Sequence, residues 1–153
     1  MAVFMGFLLV AAGQDLYRKG IKVWVFALFG IIALATDGYL WSQAGGEFCW
    51  RSHLWSCGVG AGLLLLGKIC GGSIGAGDGC FFLISGLLLE FWENLMVLCI
   101  GVILCGSYGL CLFVWKKIRT GENIGKQTVP FLPFAVIPGV WMAVENNFWR
   151  WQK

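Results

Sequence analysis

The chain has 153 residues, of which 59% are hydrophobic and 12% charged, and its mean hydropathy is +0.79. Ordinary soluble domains carry roughly 25% charged residues, so this composition excludes a typical soluble domain. It predicts a protein that lies within a lipid bilayer.

Six apolar runs follow one another along the chain, near residues 2–16, 23–36, 54–70, 79–92, 95–115 and 129–144. At about 20 residues per spanning helix, six spans use roughly 120 residues and leave no room for a separate soluble domain. We therefore expect an all-α, polytopic membrane protein in which residues 1–153 form a single domain. Trp residues at the run ends are typical of the membrane interface: Trp41, Trp50, Trp55, Trp92, Trp115, Trp149 and Trp151. Gly58, Gly60 and Gly62 form a small-residue face that favours close helix packing in lipid.

The distribution of Lys and Arg predicts the orientation in the membrane. If the amino terminus lies outside, eight basic residues lie on the cytoplasmic side and three on the other, which is the expected bias. The eight are Arg18, Lys19, Lys22, Lys68, Lys116, Lys117, Arg119 and Lys126. The same orientation places Asp37 outside, His53 in a solvated outer loop, and both Asp15 and Asp78 toward the cytoplasm. We interpret the basic residues as orientation signals and predict no nucleic-acid partner.

Two acids interrupt this apolar pattern. Asp15 closes the first apolar run, and Asp78 ends the segment Gly75-Ala76-Gly77-Asp78. An Asp at the centre of a membrane helix costs about 2.5–3.5 kcal/mol, so such an acid indicates a functional site. An aspartic protease needs at least two carboxylates that share one proton. We expect Gly75 and Gly77 to let a substrate backbone approach Asp78, with Gly77 at positive φ or in close contact with the substrate.

Other interpretations of these acids remain. A phosphate-binding loop requires G-x-x-x-x-G-K-[ST] after a strand, and this segment lacks the Lys. Asp78 could instead cap the next helix, because Asp is a favoured N-cap residue. A small transporter, or a non-catalytic membrane protein, could use Asp15 and Asp78 to bind a proton or a cation.

Three elements together carry a resemblance to a known family. Asp15 with the basic loop after it, Gly75-Ala76-Gly77-Asp78, and Val129-Pro130-Phe131-Leu132-Pro133-Phe134 occur in this order. They resemble the type IV prepilin peptidases, which are GxGD aspartyl proteases of the bacterial inner membrane. The resemblance implies that Asp15 and Asp78 are the catalytic pair. It also implies that the substrates are prepilins or pseudopilins, whose short basic leaders are removed at the cytoplasmic face.

The chain departs from this family in two respects. It has Ile21-Lys22 where members often carry Ile-Pro after the first Asp. Larger members contain an insert with two CxxC pairs and a methyltransferase activity, whereas the seven cysteines here form no CxxC pair and predict no zinc site. The resemblance therefore implies a short peptidase without N-methylation, which requires no metal and no organic cofactor.

Overall fold

A computed structural model describes residues 1–18, 20–43, 50–71, 75–120 and 130–151. Within these ranges every regular element is an α-helix, which confirms the all-α prediction. The helices are α1 (Ala2–Arg18), α2 (Val23–Gln43), α3 (Trp50–Ile69), α4 (Ala76–Leu88), α5 (Phe91–Thr120) and α6 (Leu132–Trp151). The fourth apolar run, 79–92, does not end with its helix. Helix α4 ends at Leu88, whereas the apolar run continues through the turn at Leu89 and Glu90 into α5, because apolar residues occupy both sides of that turn.

Two of the helices are long and apolar enough to cross a bilayer. They cover Val23–Gln43, with a mean hydropathy of 1.8, and Phe91–Arg119, with a mean hydropathy of 2.4. Much of their apolar surface is uncovered: Ile31 is 68% exposed, Ile103 65% and Ile118 81%. Apolar surface on this scale requires an apolar environment or a partner.

Helix α4 lies at the centre of the bundle and packs against α1, α2, α3 and α5. Its aromatic residues form a buried layer with α1 and α2. The ring of Phe7 stacks on that of Phe81 at 4.7 Å, Phe81 contacts Phe82 at 5.2 Å, and Phe29 lies 4.9 Å from Phe7. Phe7, Phe81 and Phe82 are fully buried. These rings form the apolar contact between α1, α2 and α4.

Glycine allows α3 and α4 to pack backbone against backbone. A Cβ at Gly60 would collide with the α4 backbone, and a Cβ at Gly86 would lie 2.7 Å from the backbone nitrogen of Cys57. The expected close packing is therefore confirmed at Gly60. It is wrong for Gly58 and Gly62, where a Cβ would meet nothing within 4 Å, because these two residues lie on other faces of α3.

A buried amide joins three helices at the end of the bundle where α5 begins. The Nδ2 of Asn94 donates to the carbonyl oxygens of Ser56 and Phe82, each at 3.1 Å. Its Oδ1 accepts a hydrogen bond of 2.7 Å from Ser85. Asn94 and Ser85 are both fully buried. This network fixes the start of α5 against the α3 and α4 pair.

The expected solvated loop position of His53 is wrong. His53 lies in α3 and is half-buried, with its Nδ1 2.9 Å from the carbonyl oxygen of Leu87. Helix α3 begins before the apolar run does, and the last carbonyls of α4 lack partners within their own helix, which makes them available to the imidazole. Asp37 lies in α2 and is only 4% exposed.

Candidate aspartyl dyad

Asp15 lies in the last turn of α1 and is 9% exposed. Its Oδ2 accepts a hydrogen bond of 3.2 Å from the backbone N–H of Leu132, the first residue of α6. The first N–H groups of a helix have no partner within the helix, and the helix dipole favours negative charge at this end. Asp15 therefore serves as an acceptor for a helix that is distant in sequence.

Asp78 lies in the first turn of α4, three positions after the N-cap residue Gly75. Gly75 has φ −62° and ψ 125°, and no side chain makes a capping hydrogen bond there. The interpretation of Asp78 as the N-cap is therefore wrong, because the helix begins earlier than its acid. A Cβ at position 75 would lie 3.2 Å from Oδ2 of Asp78. Glycine at this position therefore keeps a side chain away from this carboxylate oxygen.

Gly77 does not have the positive φ considered for it. It lies inside α4, and among the described glycines only Gly71 has a positive φ, of 65°. Helical geometry from Ala76 onward explains the difference, since a residue in the first turn needs no left-handed conformation. A Cβ at Gly77 would meet nothing within 4 Å. The role of Gly77 in substrate approach stays a prediction.

Asp15 in α1 and Asp78 in α4 lie within electrostatic range of each other. The structure adds two groups that the sequence analysis missed. One is the backbone N–H of Leu132, which binds Asp15. The other is the thiol of Cys105 in α5, which lies within electrostatic range of both carboxylates. The backbone N–H had no sequence signal. The thiol had a weak one, because Cys105 shares a helix face with Tyr108, three residues later.

All three elements of the family resemblance meet at this place. The segment 130–134 opens α6, whose first N–H binds Asp15, and the ring of Phe131 lies 6.1 Å from that of Phe82, about one turn beyond Asp78 on α4. Two carboxylates in this arrangement can transfer protons to and from a water molecule or a bound carbonyl group. Among the described residues, no group of three or more His, Cys, Asp or Glu side chains is arranged to hold a metal ion.

Comparison with known proteins finds no matching family model, no matching curated protein and no matching solved structure.

Proposed function

We propose that this protein is an intramembrane aspartyl endopeptidase that removes the basic leader peptides of type IV prepilins or pseudopilins. The proposed site of action is the cytoplasmic face of the bacterial inner membrane. The observation that carries the proposal is the meeting of three separated sequence elements: Asp15, the segment 75–78 and the segment 130–134.

The proposed topology has six membrane-embedded helices with the amino terminus outside. Exposed apolar side chains on α2 and α5 support contact with lipid. Basic residues support the orientation, because they are found at the helix ends on the side of the dyad. They are Arg18 at the end of α1, Lys22 before α2, Lys68 at the end of α3, and Lys117 and Arg119 at the end of α5.

The length of α4 sets the depth of the proposed site. With 13 residues, α4 is about 20 Å long, whereas the hydrocarbon core is about 30 Å thick. If its C-terminal end at Leu88 reaches the outer interface, its first turn lies about 10 Å inside the core or beneath a locally thinned bilayer. Asp78 would then meet a substrate near the point where the substrate's own membrane helix begins.

The proposed mechanism follows from two carboxyl groups whose charges interact. Two neighbouring carboxyls do not both ionise easily, so the pair holds one proton. The N–H of Leu132 stabilises negative charge on Asp15, so Asp15 takes the proton from the attacking water. Protonated Asp78 donates a hydrogen bond to the scissile carbonyl oxygen, and a proton of the dyad passes to the leaving amine.

A transporter in which the same acids bind a proton or a cation is the competing function. Such a protein needs a polar path between the two membrane faces. Phe7, Phe81 and Phe82 are fully buried and in mutual contact directly beyond the dyad. These buried rings supply no polar groups for such a path between α1 and α4, which supports a reaction at one face over transport.

Co-expression with candidate prepilins tests the proposal. Wild-type protein should shorten a prepilin by its leader, as mass spectrometry of the product would show, whereas Asp78→Asn should leave it intact. Glu145→Gln, at an exposed acid of α6, is the matched control and should cleave like the wild type. If no candidate prepilin is shortened by the wild-type protein, the proposed function is wrong.

A further inference from the structure

Helices α3 and α4 contact each other along one antiparallel line. Three residue pairs make up this line, which we call the α3–α4 seam: Cys57 with Gly86, Gly60 with Leu83, and Leu64 with Gly79. In the first two pairs, a Cβ on the glycine would meet the backbone of the other helix. Each step of three or four residues forward in α3 is matched by an equal step back in α4. The two helices therefore keep one register along the whole seam.

The last pair of the seam lies beside Asp78. Gly79 is buried and follows Asp78 directly in α4. A Cβ at Gly79 would lie 2.6 Å from both Cγ and Cδ2 of Leu64, and 3.2 Å from the backbone nitrogen of Leu64. Non-bonded carbon atoms do not approach to 2.6 Å in a packed protein interior. A side chain at position 79 would therefore displace Leu64 or push the start of α4 away from α3.

The opposite side of α4 faces α1. Phe81, two residues after Gly79, stacks on Phe7 of α1 with 4.7 Å between the ring centroids. Residues two positions apart point to nearly opposite sides of a helix, because each residue turns the helix by about 100°. The first turns of α4 therefore lie between α3 and α1. A shift of α4 away from α3 changes the position of Asp78 relative to Asp15, which lies in α1.

We infer that Gly79 is a positioning residue for the dyad: the close contact with Leu64 that it permits sets the distance between the carboxyl groups of Asp78 and Asp15. This inference rests on the proposed function and extends the site to α3, which supplies neither acid. Gly79 transfers no proton and acts through Asp78. If the two carboxyl groups change their separation, their interaction changes, and so does the pH range in which the pair holds one proton.

Paired size changes at Gly79 and Leu64 test the inference in purified protein in lipid. Gly79→Ala should lower kcat for prepilin cleavage at least about tenfold and leave KM within about twofold, because proton transfer is sensitive to displacements of about 1 Å. It should also move at least one limb of the pH–rate profile by about half a pH unit or more. Adding Leu64→Ala removes the side-chain atoms that the new Cβ would meet. The double variant should return kcat to within about threefold of the wild type and restore the profile.

Gly86→Ala is the matched control. Its Cβ would lie 2.7 Å from the backbone of α3, in the same seam but about 10 Å along α4 from Gly79. It should lower stability in detergent unfolding and leave the pH–rate profile of the folded protein in place. An equal shift of the profile in Gly86→Ala and Gly79→Ala would overturn the inference, because both changes would then act through general destabilisation.

Two further results would overturn it: a folded Gly79→Ala protein with wild-type kcat and profile, or a double variant that recovers neither. If Gly79→Ala does not fold, Leu64→Ala alone is compared with the double variant, which has to lie nearer to the wild type because its added Cβ fills the gap over Gly79. If the wild type cleaves prepilin and Asp78→Asn does not, a negative result removes the positioning role alone. If the wild type cleaves no prepilin, the proposed function and the positioning role both fail.

Discussion

The backbone N–H of Leu132 donates a hydrogen bond of 3.2 Å to the Oδ2 of Asp15. This contact joins the end of α1 to the beginning of α6. It supplies an acceptor for a helix N-terminus and positions one carboxylate oxygen, which leaves the other oxygen for chemistry. Asp15 therefore has a structural role as well as the proposed catalytic one, and substitutions can separate the two.

Asp15→Asn should retain the fold and lose cleavage, because its amide oxygen still accepts the Leu132 N–H but cannot take a proton from water. Asp15→Leu should lose cleavage and should also be less stable, since it leaves the buried N–H of Leu132 without an acceptor at a cost of about 1–3 kcal/mol. Unfolding in detergent measures stability, and prepilin processing measures activity. Equal stability of the Leu and Asn variants would contradict the capping role.

Gly77 and Gly79 form a matched pair in α4. Gly77→Ala should keep or slightly increase stability, because a Cβ there meets nothing within 4 Å and Ala is favoured over Gly in helices by about 1 kcal/mol. Any loss of cleavage in this folded variant would then report close substrate approach. Gly79→Ala should unfold more easily, since its Cβ would lie 2.6 Å from Leu64 side-chain atoms. A Gly77→Ala protein that cleaves at the wild-type rate would remove Gly77 from the substrate path.

Composition and apolar runs predicted the helical class and the approximate positions of the helices, because burial in lipid requires continuous apolar segments. They could not locate every helix end. Helix α3 continues into the polar residues around His53, and α4 starts before Asp78, because backbone hydrogen bonding does not stop where hydrophobicity changes. The same effect explains why Gly77 does not have a positive φ.

The two acids could be predicted because a carboxylate within an apolar run is unfavourable in free energy. A single residue in the sequence is enough to reveal it. The remainder of the site depends on tertiary packing. The Leu132 N–H is a backbone group available at every residue except proline, and the thiol of Cys105 resembles six other cysteines until α5 is placed beside α4. Groups whose role depends only on their position can be identified only once the fold is known.

Asn94→Leu should destabilise the bundle while preserving its shape. The variant removes the two hydrogen bonds to Ser56 and Phe82 and the acceptor for Ser85. Interhelical hydrogen bonds in membrane proteins contribute about 0.6–1.7 kcal/mol each, so we expect a loss of about 1–3 kcal/mol in detergent unfolding. Ser107→Ala is the control, because that exposed hydroxyl binds only the carbonyl of Ile103 in its own helix. Equal stability of the two variants would show that the network is not a stabilising one.

Single cysteines in a cysteine-free background test the proposed orientation. Cysteines at Gly20 and Lys117 should react with a membrane-impermeant maleimide only from the cytoplasmic side, and one at Glu90 only from outside. These positions lie at opposite ends of the helices and are all exposed. The reverse pattern would place Asp15 and Asp78 at the outer face, where a cytoplasmic leader could not reach them.

The most direct test of the central claim is a double-mutant cycle on leader removal by purified protein in lipid. The cycle compares the wild type with Asp15→Asn, Asp78→Asn and the double variant. If the two acids act as one dyad, each single substitution should lower kcat on the order of 10³-fold or more, and the double variant should be no slower than either. Near-normal cleavage by one single variant, or losses that multiply in the double variant, would contradict a shared catalytic role for Asp15 and Asp78.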